Sequence, residues 1–160
     1  MENLVQIQYG QTGASATTDS LGMREMQRIV YKARSRQYLL VKAPPASGKS
    51  RALMFVALDK LTNQGIKRVI VAVPEKTIAR SFKDTELKPY GFFADWKVSE
   101  GYNLCAPGLK ESGLRQKFID FLSSDADVLV CTHSTFRNAL KELDITLLND
   151  TFIGIDEFHH

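Results

Sequence analysis

Four apolar runs punctuate the chain, and between them apolar residues recur at helical spacing. YLLVKA (38–43), KRVIVAV (67–73), DVLVCT (127–132) and TFIGIDE (151–157) read as strands. Their branched residues follow one another without alternation, as in strands covered on both faces. Met23, Met26, Val30 and Ala33 fall at i, i+3, i+7 and i+10, which predicts a helix from near Leu21 to about Ser35. A second helix is expected from Lys49 to about Gln64, with Leu53, Val56, Ala57, Leu58 and Leu61 on or near one face and Gly65 as its stop. A short helix, about Lys76 to Phe82, should follow Pro74. SGLRQKFIDFLSS (112–124) places Leu114, Phe118 and Phe121 at helical spacing, and HSTFRNALKEL reads as a last helix. Residues 84–110 hold Pro89, Gly91, Trp96, Gly101, Pro107 and Gly108, and are expected to be irregular with one strand near 93–98. Residues 9–20, small and polar, read as flexible, so order is expected to begin near Leu21. The domain division is then a lead-in, 1–20, and one folded lobe, 21–160.

Strands alternating with helices indicate an α/β fold with a mainly parallel sheet and helices on both faces. Ligands of such sheets sit at the C-terminal ends of the strands. At 160 residues the chain suits one domain, and its 44% hydrophobic and 24% charged content is that of an ordinary globular protein. No apolar run approaches the roughly 18–20 residues of a membrane span. The N-terminus lacks the basic and apolar pattern of a secretory signal, so the cytoplasm is the expected compartment. Cys105 and Cys131 lack metal-ligand spacing and are expected to be reduced and structural. Net charge is +3, but residues 1–90 carry 15 Lys/Arg against 7 Asp/Glu, and residues 91–160 carry 6 against 11. A polyanion partner fits that asymmetry; so does a solvated surface, and charge does not decide between them.

The chemistry begins at VKAPPASGKS (41–50), where a strand runs through two prolines into Gly-Lys-Ser and a helix. That is the context of a phosphate-binding loop, in which backbone amides and a helix N-terminus face the anion. Gly48 permits close backbone approach, Lys49 reaches the β- and γ-phosphates, and the Ser50 hydroxyl ligates Mg²⁺. Ala43 stands where the strict motif has Gly, at the strand end. Such a site needs a second strand ending in acids, and IGIDEFHH (153–160) supplies one. Asp156 is expected to hold the metal and Glu157 to act as general base. A His159–His160 metal pair is not expected, because adjacent side chains on an extended segment point opposite ways.

APPASGKS followed by DEFH resembles motifs I and II of the superfamily 2 DExH-box helicases, across most of residues 21–160. The resemblance implies a three-layer RecA-like fold, here truncated, using ATP and Mg²⁺ and acting on nucleic acid. It implies a nucleotide-binding set of Ala46, Ser47, Gly48, Lys49, Ser50 and Arg51, with Gln27 of LGMREMQ (21–27) hydrogen-bonding adenine. VPEKTIARSF and CTHSTF are similar to the family's strand-contact motifs, which implies nucleic-acid contacts at Pro74, Thr77, Thr132 and His133. VCTH…IDEFHH looks most like restriction-enzyme translocases such as the type III Res subunit, which places DNA ahead of RNA. The family's second lobe and arginine finger are not in these residues, so near-background hydrolysis and self-association are expected of this chain alone. Two alternatives remain: a P-loop module that binds nucleotide or DNA without useful turnover, and an unrelated P-loop NTPase acting on a protein or small molecule.

Overall fold

The computed structural model of the chain describes residues 4–8, 18–44 and 46–157. They divide into two compact units, Met1–Gln64 with Thr85–Trp96, and Gly65–Asp84 with Lys97–His160.

In the first unit, strand β1 (Leu4–Gln8) pairs in parallel with β2 (Tyr38–Lys42), in register from Leu4 opposite Tyr38 to Gln8 opposite Lys42. β1 corrects the expectation that order begins near Leu21. LVQIQ alternates apolar and polar residues as a half-buried strand does, a weaker signal than the continuous runs elsewhere. Residues 9–17 of the expected lead-in lie outside the described residues.

Helix α1 (Glu25–Lys32) buries Met26, Gln27 and Val30. Helix α2 (Lys49–Asn63) ends before Gly65, whose φ of +72° suits the residue after a helix end. The pattern predicted a single buried face for α2, yet every residue from Met54 to Lys60 is buried. A buried carboxylate is tolerable only when paired and hydrogen-bonded. Asp59 meets that condition. It accepts from Asn63 Nδ2 (2.7 Å), Gln64 Nε2 (2.8 Å) and Tyr31 Oη (3.2 Å), and pairs with Arg34 Nε at 3.2 Å. Lys60 donates to the Arg36 carbonyl (3.1 Å) and to Gln64 Oε1 (3.2 Å).

The segment Thr85–Trp96 closes this unit. Its expected strand reduces to one antiparallel bridge, Thr85 opposite Trp96. The Asp95 carboxylate accepts from the amides of Leu87 (2.8 Å) and Lys88 (2.9 Å), turning the chain instead of extending it. Phe92 packs edge-on against Tyr31 and Phe55. Gly91 has a φ of +109°, and a Cβ there would collide with the Ser20 carbonyl.

The second unit is a three-stranded parallel sheet in the order β4-β3-β5, formed by β3 (Arg68–Val73), β4 (Val128–Thr132) and β5 (Thr151–Ile155). Val69 to Val73 of the central strand are completely buried. Helices α3 (Glu111–Leu122) and α4 (His133–Leu140) supply Leu114, Phe118, Phe121, Phe136 and Ala139 to a core with Ile70, Ala72, Leu129 and Cys131. The short helix expected after β3 is a 3₁₀ helix, Lys76–Phe82. The α/β character and the parallel pairing are as the pattern predicted. Cys105 and Cys131 are both buried and free, and burial raises both thiol pKa values, Cys105 to about 11. Neither thiol has the low pKa of a reactive cysteine.

Candidate functional site

The loop after β2 is organised by backbone conformation. Ala46 and Gly48 are left-handed, at φ +62° and +91°, and the Ser47 amide donates to the Pro44 carbonyl (3.3 Å). Concavities that bind anions are built from backbone of this type. Lys49 and Ser50 then open α2, so the N-terminus of a fifteen-residue helix lies directly after Gly48. Pro45 lies outside the described residues.

Helix α1 holds this loop from the side. Gln27, 2% exposed, donates from Nε2 to the Gly48 carbonyl (3.1 Å) and accepts at Oε1 from the Arg24 amide (2.8 Å). Arg24 Nη1 donates to the Ala46 carbonyl (3.3 Å). A Cβ on Gly48 would collide with the Gln27 amide nitrogen. The structure thus brings Gln27 to Ala46, Ser47, Gly48, Lys49 and Ser50, although its amide is engaged at both ends. A base contact would use its second N–H and the remaining lone pair. Arg51 lies over the Tyr90 ring, 5.7 Å from its centroid. Sequence reasoning missed Arg24; its signal was the spacing of three from Gln27.

Whether these residues fit a nucleotide's phosphates is answered by Ser47. Its hydroxyl oxygen is buried without a hydrogen-bond partner, in the middle of the loop. Orphaned buried hydroxyls are costly, and a phosphate oxygen would satisfy this one. The loop therefore fits the group.

In the second unit the remaining candidates gather at one sheet edge. The parallel register sets Thr132 opposite Val73, and Ile155 opposite Ala72. Pro74, His133 and Asp156 each follow a C-terminal strand end, where ligands of parallel sheets bind. The Asp156 amide donates to the Ala72 carbonyl (2.9 Å), extending the ladder by one bond. Glu157 follows in a left-handed conformation, φ +55°. His133 Nε2 lies 2.8 Å from the Asp156 carbonyl. The Thr132 hydroxyl caps α4, accepting from the Thr135 amide (3.2 Å). Thr77 is exposed and donates to Glu75 Oε1 (3.0 Å). Phe158, His159 and His160 lie outside the described residues, so the histidine pair has no structural account. Among the described residues no cluster of three or more His, Cys, Asp or Glu is arranged to hold a metal ion. Nor is any described helix long and apolar enough to cross a membrane.

Parallel strands joined through helices define an α/β protein, the class to which a RecA-like helicase lobe belongs. The chain belongs to the DEAD/DEAH box helicase family, whose model matches residues 24–160. It is 54% identical over all 160 residues to "Putative ATP-dependent helicase YeeB" of Bacillus subtilis (strain 168). The chain spans 26% of that relative's length. No solved structure matches it.

Proposed function

We propose that this chain is the ATP-binding lobe of a DExH-type helicase or translocase moving on nucleic acid, DNA ahead of RNA, in the cytoplasm. The loop carries the reading: two left-handed residues, an orphaned Ser47 hydroxyl, and a helix N-terminus directly behind them. Within that class the motif cast favours a restriction-type translocase of the type III Res kind.

Each residue has a defined task in this reading. Lys49 and the loop amides neutralise and orient the β- and γ-phosphates. Ser50 and Asp156 are the residues that would hold Mg²⁺, which supplies charge neutralisation when bound. Glu157 accepts a proton from the attacking water. Pro74, Thr77 and Thr132, beside one sheet edge, offer the strand hydroxyl and backbone groups, which position phosphates without reading bases.

Nucleic-acid-stimulated ATP hydrolysis by the complete gene product tests the proposal, with Lys49→Ala as control. Stimulated turnover that vanishes in the variant is the expected result. ATP binding without any turnover would instead favour a binding module, and turnover indifferent to nucleic acid would favour another P-loop class.

A further inference from the structure

We propose that His133 is a positioning residue for Glu157, holding the peptide that presents the proposed general base. This rests on the functional reading above and goes beyond it, since the sequence implied only a strand contact for His133.

The Asp156 carbonyl and the Glu157 amide belong to the same rigid unit, so fixing one fixes the other. Strand β5 ends at Ile155, and the Asp156 amide makes the last bond to β3, at the Ala72 carbonyl (2.9 Å). The Asp156 carbonyl instead faces His133, whose Nε2 lies 2.8 Å away. A carbonyl only accepts, so Nε2 carries the proton in this contact. Glu157 then takes a φ of +55°, a left-handed conformation that is strained for a non-glycine residue and persists only when its surroundings hold it. The bond from His133 resists the peptide rotation that would relieve this strain.

His133 is itself tightly placed. It is the first residue of α4, directly after Thr132, whose hydroxyl caps the helix and whose backbone is registered against Val73. A shift at the start of α4 therefore moves the ring, and the ring moves the Asp156–Glu157 peptide. Since the start of α4 is a proposed strand-contact point, His133 links nucleic-acid binding to the readiness of Glu157.

The test compares His133→Ala and His133→Gln in nucleic-acid-stimulated ATP hydrolysis by the complete gene product. Glutamine can present an N–H donor at similar reach; alanine cannot. The expected result for His133→Ala is a kcat lowered about 10–100-fold, the usual effect of losing an outer-shell partner. KM for ATP and nucleic-acid affinity should stay within about threefold, because the ring touches neither ligand in this arrangement. His133→Gln should recover most of the lost kcat. Weakened nucleic-acid binding with intact kcat at saturation would overturn the inference in favour of a direct strand contact. Equal losses in both variants would overturn it too. An independent readout needs no variant: imidazole nitrogen NMR of the 160-residue chain should show His133 protonated at Nε2, and an Nδ1–H tautomer would refute the bond. Absence of stimulated turnover in the unsubstituted protein would overturn the functional reading itself, a result recognisable before any variant is made.

Discussion

Gly48 carries a left-handed backbone, lends its carbonyl to Gln27, and leaves open the volume that the Gln27 amide fills. Gly48→Ala should therefore do two kinds of damage. The left-handed backbone alone costs an alanine about 1–2 kcal/mol, and the methyl group displaces Gln27 from the loop. Titration with a fluorescent ATP analogue should show lost affinity, together with a lowered melting temperature. Lys49→Ala should separate the two effects, losing affinity with little change in stability because that side chain belongs to the ligand in our reading. Gln27→Ala should act the opposite way. It removes one of the two donors to the Gly48 carbonyl, leaving the Ala52 amide (3.1 Å), and takes away the acceptor of the Arg24 amide, a cost of about 1–3 kcal/mol for the two bonds that thermal unfolding would show. A variant as stable as the parent would mean that Gln27 does not hold the loop. At the other strand end, Glu157→Gln in the complete gene product should slow hydrolysis about 10²–10⁴-fold while ATP still binds. Asp156→Asn should instead shift the Mg²⁺ dependence, and identical phenotypes for the two would refute separate roles.

Elements were legible where tertiary partners only reinforced the local pattern. The strands at 38–42, 68–73, 128–132 and 151–155, and helices α2, α3 and α4, lie where apolar runs and helical spacing put them, whereas α1 fills only Glu25–Lys32 of the span expected from near Leu21 to Ser35. The exceptions have physical causes. β1 depends on pairing with β2, thirty-odd residues away, and its own sequence alternates too weakly to declare a strand. Around Trp96, the Asp95 carboxylate replaces strand pairing with a turn. In α2, the burial of Asp59 and Lys60 has no signal in the local pattern, because Tyr31, Arg34 and Arg36, which partner them, belong to another part of the chain. The candidate residues themselves were legible as motifs, but the His133–Asp156 contact was not, since it depends on the strand order placing β4 and β5 on either side of β3. Asp59 also gives α2 a pH dependence. Burial pushes its carboxyl pKa up, but hydrogen bonds from Gln64, Asn63 and Tyr31 and the Arg34 charge outweigh that and hold it below the ordinary 3.8. A depressed folded pKa contributes stability above the unfolded value, which is lost as pH falls through the folded one. Acid unfolding should therefore steepen below pH 3.8, and Asp59→Asn should flatten that limb while lowering stability near neutrality. An unchanged acid limb would mean that the carboxylate contributes nothing through its ionisation.

At the scale of the whole molecule, the charge asymmetry along the sequence is not the asymmetry of its folded parts. Met1–Gln64 with Thr85–Trp96 carries 10 Lys/Arg against 6 Asp/Glu, whereas Gly65–Asp84 with Lys97–His160 carries 11 against 12. The second unit, which bears the proposed strand contacts Pro74, Thr77 and Thr132, is thus close to neutral. Net charge therefore gives that unit no overall attraction for a polyanion, and in our reading binding comes from local donors at the ends of β3 and β4. Hydroxyl and amide donors release no counterions, so only the few nearby cations would give the affinity its salt dependence. Lys76, beside the proposed contact Thr77, is one, and it is shared with Glu111 at 3.3 Å in an exposed pair. Anisotropy titrations on single-stranded DNA should give a shallow decline, with a slope of about −1.4 to −2.1 in log affinity against log salt, as for two or three neutralised phosphates. Lys76→Ala should make that slope shallower by about 0.7, the contribution of one cation on a single strand. Glu111→Gln should strengthen binding at low salt, because it removes the carboxylate competing for Lys76 at little cost in stability. A steep slope, or indifference to both substitutions, would place the strand on a different surface from the C-terminal edge of the β4-β3-β5 sheet.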